Sequence, residues 1–220
     1  MKTDFWKAKW KAGEIGFHRD AYNPNLLKWW HRVEAEKHDV VLVPLCGKTL
    51  DLRWLAGGNH AVIGAEVSSV AVNAFFEELG AEPETVEGNG KHRLHQLGRL
   101  TIVEGDFFQW GSLNLPRATR FYDRAACIAL PPEMRADYFR VLHDALAPGA
   151  LGLFLTIAYP EDEMNGPPFS VPPEALRSMT SGLFELDLLS DSDAFEPGGP
   201  MASRGLSALR EYVFLARRLS

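Results

Sequence analysis

A ten-residue segment, residues 42–51, most constrains how this chain can fold. It reads Leu-Val-Pro-Leu-Cys-Gly-Lys-Thr-Leu-Asp and overlaps the apolar run 40–43. That run suits a strand buried on both faces. Pro44 and Gly47 then predict a sharp turn, and residues 49–56 have helix-compatible spacing. Because a turn from a buried strand into a helix points free backbone N–H groups at a ligand, the segment predicts a nucleotide site in an α/β fold.

Acidic residues follow the next two predicted strands. The strand 61–65 stops at Glu66, about 20 positions after the glycine turn, where an acid hydrogen-bonds ribose hydroxyls in Rossmann-type sites. The strand 100–104 is followed by Asp106 and Phe107, which suit an adenine amino group and an adenine ring. The alternative for this pair is a helix N-cap followed by a core aromatic residue. We favour the site, because the carboxyl ends of parallel strands meet at one edge of the sheet.

Two other nucleotide-binding motifs do not fit the glycine turn. A P-loop requires a glycine five positions before Gly47, and Leu42 stands there. A dehydrogenase requires G-x-G-x-x-G, but residues 45–50 contain a single glycine. Enzymes that bind S-adenosylmethionine have no pyrophosphate to hold and tolerate more variation in this turn. The pattern therefore favours methyl transfer.

Strands and helices alternate along the chain, which is typical of an α/β protein. Further strands are predicted near residues 120–128 and 151–157, and a final edge pair at 183–189 and 212–217, whereas the polar residues 81–98 are predicted to be irregular. We expect one domain over residues 1–220, with a Rossmann-like, mostly parallel seven-stranded sheet and helices on both faces.

Two segments outside this framework are predicted to contact ligands. Residues 1–36 begin with a short aromatic helix that carries Trp6 and Trp10, either packed structurally or serving as a lid over a flat ligand, and continue into an amphipathic helix. Residues 160–173 are rich in proline and follow a predicted strand. Irregular chain at that position is typical of a substrate loop.

Composition excludes several classes of function. A net charge of −6, from 29 acidic and 23 basic residues, gives no general attraction to nucleic acid or to an anionic membrane. No apolar run reaches the ~18 residues that a membrane span needs. The two cysteines are predicted to be free thiols in a reducing cytoplasm, and the nearest histidine pair, His92 and His95, lacks the further ligands of a metal site. We expect a cytoplasmic monomer without a metal.

Several longer motifs resemble the thiopurine S-methyltransferase family, especially its bacterial members. The resemblance covers nearly the whole chain and rests on Pro44-Leu45-Cys46-Gly47-Lys48 with Asp51, Gly105-Asp106-Phe107-Phe108, Tyr122-Asp123-Arg124-Ala125-Ala126 with Ala129-Leu130-Pro131-Pro132, Gly166-Pro167-Pro168-Phe169 with Val171, and Phe5-Trp6, Trp10 and Phe17-His18 at the start. It implies the class I methyltransferase fold and S-methylation of small aromatic or heterocyclic thiols. Some bacterial members are associated with tolerance of selenium and tellurium oxyanions, which implies metalloid acceptors as well.

The resemblance also implies roles for individual residues. Glu66 would bind the ribose of S-adenosylmethionine and Arg124 would lie near its methionine carboxylate. The full cofactor set is Trp6, Trp10, Leu45, Glu66, Asp106, Phe107 and Arg124. The implied substrate set is Phe17, Pro167, Phe169 and Arg204.

The reaction itself makes few demands on a catalytic residue. A sulfonium methyl group is already activated, so transfer to a soft thiolate needs orientation and exclusion of water more than a strong base. Asp123 is the one candidate for removing a proton, but we favour an ion pair with Arg124, since buried charges are usually paired. A non-catalytic metalloid-binding protein is the alternative function, although two cysteines are few for a soft metalloid.

Overall fold

The computed structural model describes residues 3–16, 18–89 and 91–220. Its strands are β1 (Val40–Val43), β2 (Ala61–Glu66), β3 (Glu84–Glu87), β4 (Arg93–Leu97), β5 (Leu100–Glu104), β6 (Ala118–Arg124), β7 (Leu146–Ala158), β8 (Phe184–Asp193) and β9 (Arg210–Arg218). Together they form one nine-stranded sheet in the order β3-β4-β5-β2-β1-β6-β7-β9-β8.

The centre of the sheet is parallel and both of its edges are antiparallel. Strands β5, β2, β1, β6 and β7 run in the same direction, whereas β3 and β4 add a hairpin at one edge and β9 and β8 add a pair at the other. The predicted α/β fold with a mostly parallel sheet is confirmed. The order of the central strands reverses between β1 and β6, and ligands bind at the carboxyl ends of the strands at such a point.

The predicted number of seven strands is wrong, because the hairpin of β3 and β4 occupies the segment that we expected to be irregular. All four residues of β3 are exposed, and β4 buries only His95. The two strands read Glu-Thr-Val-Glu and Arg-Leu-His-Gln-Leu, in which apolar and polar residues do not alternate regularly. Hydrophobic periodicity therefore gives no signal for it.

Helices cover both faces of the sheet. They are α1 (Thr3–Lys11), α2 (Pro24–Trp29), α3 (Asp51–Gly57), α4 (Ser69–Leu79), α5 (Ala126–Ala129), α6 (Pro132–Ala145) and α7 (Pro173–Thr180), with 3-10 turns at Trp30–Val33, Phe107–Ser112 and Ala202–Arg204. Apolar residues of α2, α3 and α4 form one core cluster, and those of α6 and α7 form a second. Among the described residues, no helix is long and apolar enough to cross a membrane.

Candidate active site

A cavity of about 1030 Å³ opens at the carboxyl ends of β1, β2, β6 and β7. Of the residues predicted to bind ligands, seven line it: Trp6, Trp10, Leu45, Glu66, Arg124, Pro167 and Arg204. These residues are far apart in sequence, and the sheet brings their elements together. The cavity therefore joins the predicted cofactor residues to the predicted substrate loop.

The turn after β1 shapes the floor of the cavity. Leu45 and Gly47 both have positive φ, at +47° and +55°. The N–H of Cys46 donates to the carbonyl of Ala65 at 2.9 Å, which ties the turn to β2. Burial raises the pKa of the Cys46 thiol well above its ordinary value, with a further contribution from Glu66. The thiol therefore stays protonated at neutral pH.

Glu66, the last residue of β2, is a buried carboxylate in the wall of the cavity. The N–H of Gly47 donates to its Oε2 at 2.8 Å and the N–H of Ser68 donates to its Oε1 at 2.7 Å. Burial raises its pKa to about 7, although these backbone hydrogen bonds favour the charged form. Each carboxylate oxygen can accept more than one hydrogen bond, so this group can also receive hydroxyl groups of a ligand.

Arg124, the last residue of β6, brings a positive charge to the cavity. Within the part of the chain that the structure describes, no carboxylate lies within 4.0 Å of its guanidinium. An unpaired guanidinium in a cavity is suited to a carboxylate ligand, which it can bind through two parallel hydrogen bonds.

The predicted ion pair between Asp123 and Arg124 is wrong. The fully buried Asp123 carboxylate accepts hydrogen bonds from the Tyr138 hydroxyl at 2.7 Å and from the N–H groups of Ala126 and Cys127 at 3.1 and 3.3 Å. Successive side chains of a strand point to opposite faces, which separates Asp123 from its neighbour. Burial raises its pKa to about 6. Because Asp123 does not line the cavity, the structure gives it no access to a substrate proton.

Asp106 and Phe107 lie outside the lining of the cavity. The Asp106 carboxylate accepts a hydrogen bond from the N–H of Phe108 at 3.0 Å and caps a 3-10 helix. The Phe107 ring is 1% exposed and packs against Trp110 and Tyr138. This geometry matches the alternative interpretation of the pair, a helix N-cap followed by a core aromatic residue.

Two residues of the loop 160–173, Pro167 and Pro168, line the cavity. The Arg204 guanidinium donates to the carbonyl of Pro167 at 3.0 Å, and the Tyr159 hydroxyl donates to the carbonyl of Pro168 at 2.6 Å. Phe169 does not line the cavity, and its ring lies 5.7 Å from the Arg135 guanidinium. Phe17, the remaining predicted substrate residue, falls outside the described residues.

Sequence reasoning missed other polar residues that line the cavity, among them His18, Lys48, Thr156 and Glu211. Burial lowers the pKa of His18, and the nearby Lys48 lowers it further. Glu211 had a signal in the sequence, since this charged residue directly precedes the predicted apolar strand 212–217. Thr156 had a similar signal, since it is the one polar side chain of the predicted strand 151–157. His18 and Lys48 lie in mixed surroundings, where no periodic pattern singles them out.

Comparison with known proteins identifies the family. The family model described as thiopurine S-methyltransferase matches residues 1–219. The chain belongs to this family. It is 43% identical over 218 residues to the thiopurine S-methyltransferase of Pseudomonas aeruginosa (strain UCBPP-PA14), which covers 99% of this chain and 100% of the relative. It is also 43% identical over 212 residues to that of Vibrio campbellii (strain ATCC BAA-1116), with 96% of each chain covered.

A solved structure supports the fold assignment for this member of the thiopurine S-methyltransferase family. The 1,6-didemethyltoxoflavin-N1-methyltransferase of Burkholderia thailandensis, solved with 1,6-didemethyltoxoflavin and S-adenosylhomocysteine, superimposes with a TM-score of 0.61 at 14% identity. The match covers 99% of this chain and 87% of the other. Family and fold together identify a methyltransferase that uses S-adenosylmethionine.

The donors and acceptors of the cavity fit this cofactor of the thiopurine S-methyltransferase family. A ribose diol needs a hydrogen-bond acceptor, and a methionine carboxylate needs a cation. The cavity offers the Glu66 carboxylate and the Arg124 guanidinium, and the latter has no carboxylate partner among the described residues. Apolar side chains such as Leu45 and Trp10 also line the cavity.

Replacing Gly47 with alanine is expected to weaken binding of S-adenosylhomocysteine about 5- to 10-fold. A Cβ atom on Gly47 would lie 3.1 Å from Cζ2 of the Trp10 ring, closer than ordinary van der Waals contact. The ring must move, and with it a wall of the cavity. The positive φ of +55° adds strain that costs about 1 kcal/mol of stability. Calorimetric titration and thermal denaturation measure the two effects.

Gly80→Ala is the matched control for this substitution. Gly80 also has positive φ, at +67°, but no atom lies within 4 Å of the added Cβ. We expect both variants to lose similar stability and only Gly47→Ala to lose affinity. Equal affinities in the two variants would show that the contact with Trp10 does not shape the cavity.

Proposed function

We propose that this enzyme transfers the methyl group of S-adenosylmethionine to small aromatic or heterocyclic thiols, with reduced selenium and tellurium species as further acceptors. The observation that carries the proposal is the continuity of the cavity. It extends from the polar groups that suit the cofactor to an acceptor wall, which we define as Ile128, Ile157, Pro167, Pro168, Met201, Arg204, Leu209 and Glu211. Such a wall, largely apolar with a cation at its rim, suits a flat ring that carries a soft anion.

The two ends of the cofactor are placed by opposite charges. In this proposal the Glu66 carboxylate accepts the ribose hydroxyls and the Arg124 guanidinium binds the methionine carboxylate. Trp6, Trp10 and Leu45 supply the apolar surface between them. Asp106 and Phe107 take no part in this contact, since both lie outside the lining of the cavity.

The chain contributes orientation more than acid–base chemistry. When bound, S-adenosylmethionine supplies a methyl group already activated on a sulfonium. The acceptor wall holds the ring of the thiol and excludes water from it, and Arg204 stabilises the negative charge on its sulfur. Electron-poor aromatic thiols such as 4-nitrothiophenol ionise more readily than alkyl thiols, so such an acceptor arrives largely ionised. No protein base is needed for such an acceptor, and the sealed position of Asp123 agrees with this.

The free thiols and the surface support a cytoplasmic monomer in this proposal. Cys46 and Cys127 are buried and unpaired, as in a reducing compartment. Exposed large apolar side chains are scattered over different elements, at Tyr22, Leu27, Val70, Val86 and Leu188. Interfaces of stable oligomers instead need contiguous apolar patches.

A direct assay tests the acceptor class. Methylation of 4-nitrothiophenol, of a heterocyclic thione and of a reduced selenol is measured as release of S-adenosylhomocysteine. We expect turnover with the two organic sulfur compounds and with the selenol. Lack of turnover with all three at high enzyme concentration would remove the proposed acceptors. Stoichiometric binding of tellurite without cofactor would then favour the non-catalytic alternative, although both cysteines are buried with raised pKa values.

Affinity for S-adenosylhomocysteine is expected to fall below neutral pH. The pKa of Glu66 in the folded protein is about 7 rather than 4.5, because the group is buried. The carboxylate protonates as pH falls through 7 and accepts ribose hydroxyls less well, so affinity should fall by up to about tenfold per pH unit. Titrations between pH 8 and 5.5 measure this slope. A similar slope in Glu66→Gln, which has no group to titrate at this position, would exclude Glu66 as its source.

The same raised pKa has the opposite effect on stability without ligand. Between pH 4.5 and about 7 the folded protein holds a proton on Glu66 that the unfolded chain has released. The contribution of Glu66 to the free energy of unfolding therefore decreases as pH rises through this window. Comparison of the native protein with Glu66→Gln by denaturant titration isolates this contribution from that of Asp123.

A further inference from the structure

The acceptor wall contains a carboxylate that the transfer of a methyl group does not require. Glu211 lies near the start of β9, and its register partner on β7 is Ile157. Paired residues of antiparallel strands have their side chains on the same face of the sheet. Both residues line the cavity. The sheet therefore presents Glu211 beside the apolar surface that holds the acceptor in the proposed function.

One oxygen of this carboxylate is held in place and the other is available. The Asn25 side chain donates from Nδ2 to Oε2 of Glu211 at 2.6 Å. Among the described residues, none donates a hydrogen bond to its Oε1, and no cationic group lies within 4.0 Å of the carboxylate. Arg210, the preceding residue, is paired with Asp191. Partial burial of a charge without an ionic partner is unfavourable unless a ligand supplies hydrogen bonds.

The second charged group of the acceptor wall has the opposite sign. Arg204 donates to the carbonyl of Pro167 through Nη2, and its other N–H groups, which donate to no described residue, are suited to a ligand. A neutral heterocyclic thione matches a cation and a carboxylate at once, because its thiocarbonyl sulfur carries partial negative charge and the adjacent ring nitrogen carries a donor hydrogen. A thiophenolate offers the sulfur but no such donor.

We propose that Glu211 accepts a hydrogen bond from the ring N–H next to the acceptor sulfur of a neutral thione and so selects heterocyclic thiones over simple aromatic thiols. The sulfur takes the methyl group as the methyl–sulfonium bond of S-adenosylmethionine breaks, and the weakly basic, N-protonated ring of the product then loses its proton to solvent. The inference rests on the proposed function, since it assigns specificity within the same cavity. Asn25 is a positioning residue, because it fixes one carboxylate oxygen and leaves the other for the substrate.

Glu211→Gln tests the inference with little change in shape. The glutamine carbonyl can still accept the hydrogen bond of Asn25, but its NH₂ group then takes the place of the free oxygen and opposes a ring N–H. We expect kcat/KM for 2-thiopyridone to fall about 10- to 100-fold, since a charge-assisted hydrogen bond is lost. The value for 4-nitrothiophenol, which is ionised and has no ring N–H, should change less than about threefold. Affinity for S-adenosylhomocysteine should stay unchanged, which also shows that the variant is folded.

Two further variants complete the test. Asp191→Asn removes one negative charge from β8, the strand that pairs with β9. We expect it to leave kcat/KM unchanged for both acceptors, because Asp191 does not line the cavity. Asn25→Ala frees the carboxylate and should reduce the preference for 2-thiopyridone less than Glu211→Gln does. Equal losses for both acceptors in an active Glu211→Gln enzyme would overturn the inference alone. Lack of activity of the native enzyme toward both acceptors, with S-adenosylhomocysteine still bound, would overturn the proposed function and this inference with it.

Discussion

Replacement of Glu66 with glutamine is expected to weaken binding of S-adenosylhomocysteine about 10- to 100-fold. A hydrogen bond to a charged group contributes about 1.5 to 3 kcal/mol, and a ribose diol offers two donors to this carboxylate. Glutamine retains the size of the side chain but has no charge, and its NH₂ group faces one of the two N–H donors, Gly47 or Ser68, that hold the carboxylate. Isothermal titration calorimetry of the native and variant proteins measures the difference.

Glu104→Gln is the control for a general effect of charge. Glu104 is the register partner of Glu66 on β5, and its carboxylate contacts His95 at 2.9 Å rather than the cavity. We expect this variant to bind S-adenosylhomocysteine as the native protein does. If both variants lost the same affinity, local charge would explain the result and the assignment of Glu66 to the ribose would be wrong.

Replacement of Arg124 with methionine is expected to have an effect of similar size that depends on the ligand. Methionine fills similar volume but cannot bind a carboxylate. We expect affinity for S-adenosylhomocysteine to fall about 10- to 100-fold, because a charge-assisted pair inside a cavity is lost. 5′-Methylthioadenosine has the same adenosine group but no amino acid carboxylate. Its affinity should be nearly unchanged.

The two ligands separate the roles of the two charged residues. Glu66→Gln should weaken both ligands, since both carry the ribose, whereas Arg124→Met should weaken only S-adenosylhomocysteine. Arg117→Met, at an exposed residue just before β6, controls for the loss of a positive charge. A parallel loss of both ligands in Arg124→Met would contradict a contact with the carboxylate and indicate a collapse of the cavity.

The positions of the cavity-lining residues at strand ends were predictable from sequence. Leu45 follows β1, and Glu66 and Arg124 end β2 and β6, and all three line the cavity. Parallel strands joined by helices bring their carboxyl ends to one edge of the sheet, so position along the strand is enough to predict that such residues converge. The turn itself was predictable because Gly47 adopts the positive φ that glycine tolerates.

The direction of neighbouring side chains was harder to predict. Asp123 and Phe107 stand beside residues at strand ends, yet both are buried in the core, against Tyr138 of α6. The charge of Asp123 and the aromatic ring of Phe107 both suggested contact with a ligand. Whether either side chain faces the cavity depends on how α6 packs against the sheet. No local pattern contains that information, since α6 begins at Pro132, well beyond both residues along the chain.

The sequence by itself determined the class of fold, the family and the charged residues at the strand ends, because these follow from short motifs and from the alternation of strands and helices. The tertiary structure alone decided which of two neighbouring residues at a strand end, such as Asp123 and Arg124, faces the cavity. It also decided where the hairpin of β3 and β4 adds to the sheet. Finally, it brought Asn25 into contact with Glu211, 186 positions away in the sequence. Such features arise from contacts between distant residues, and the strength of each contact depends on packing that no local stretch of sequence specifies.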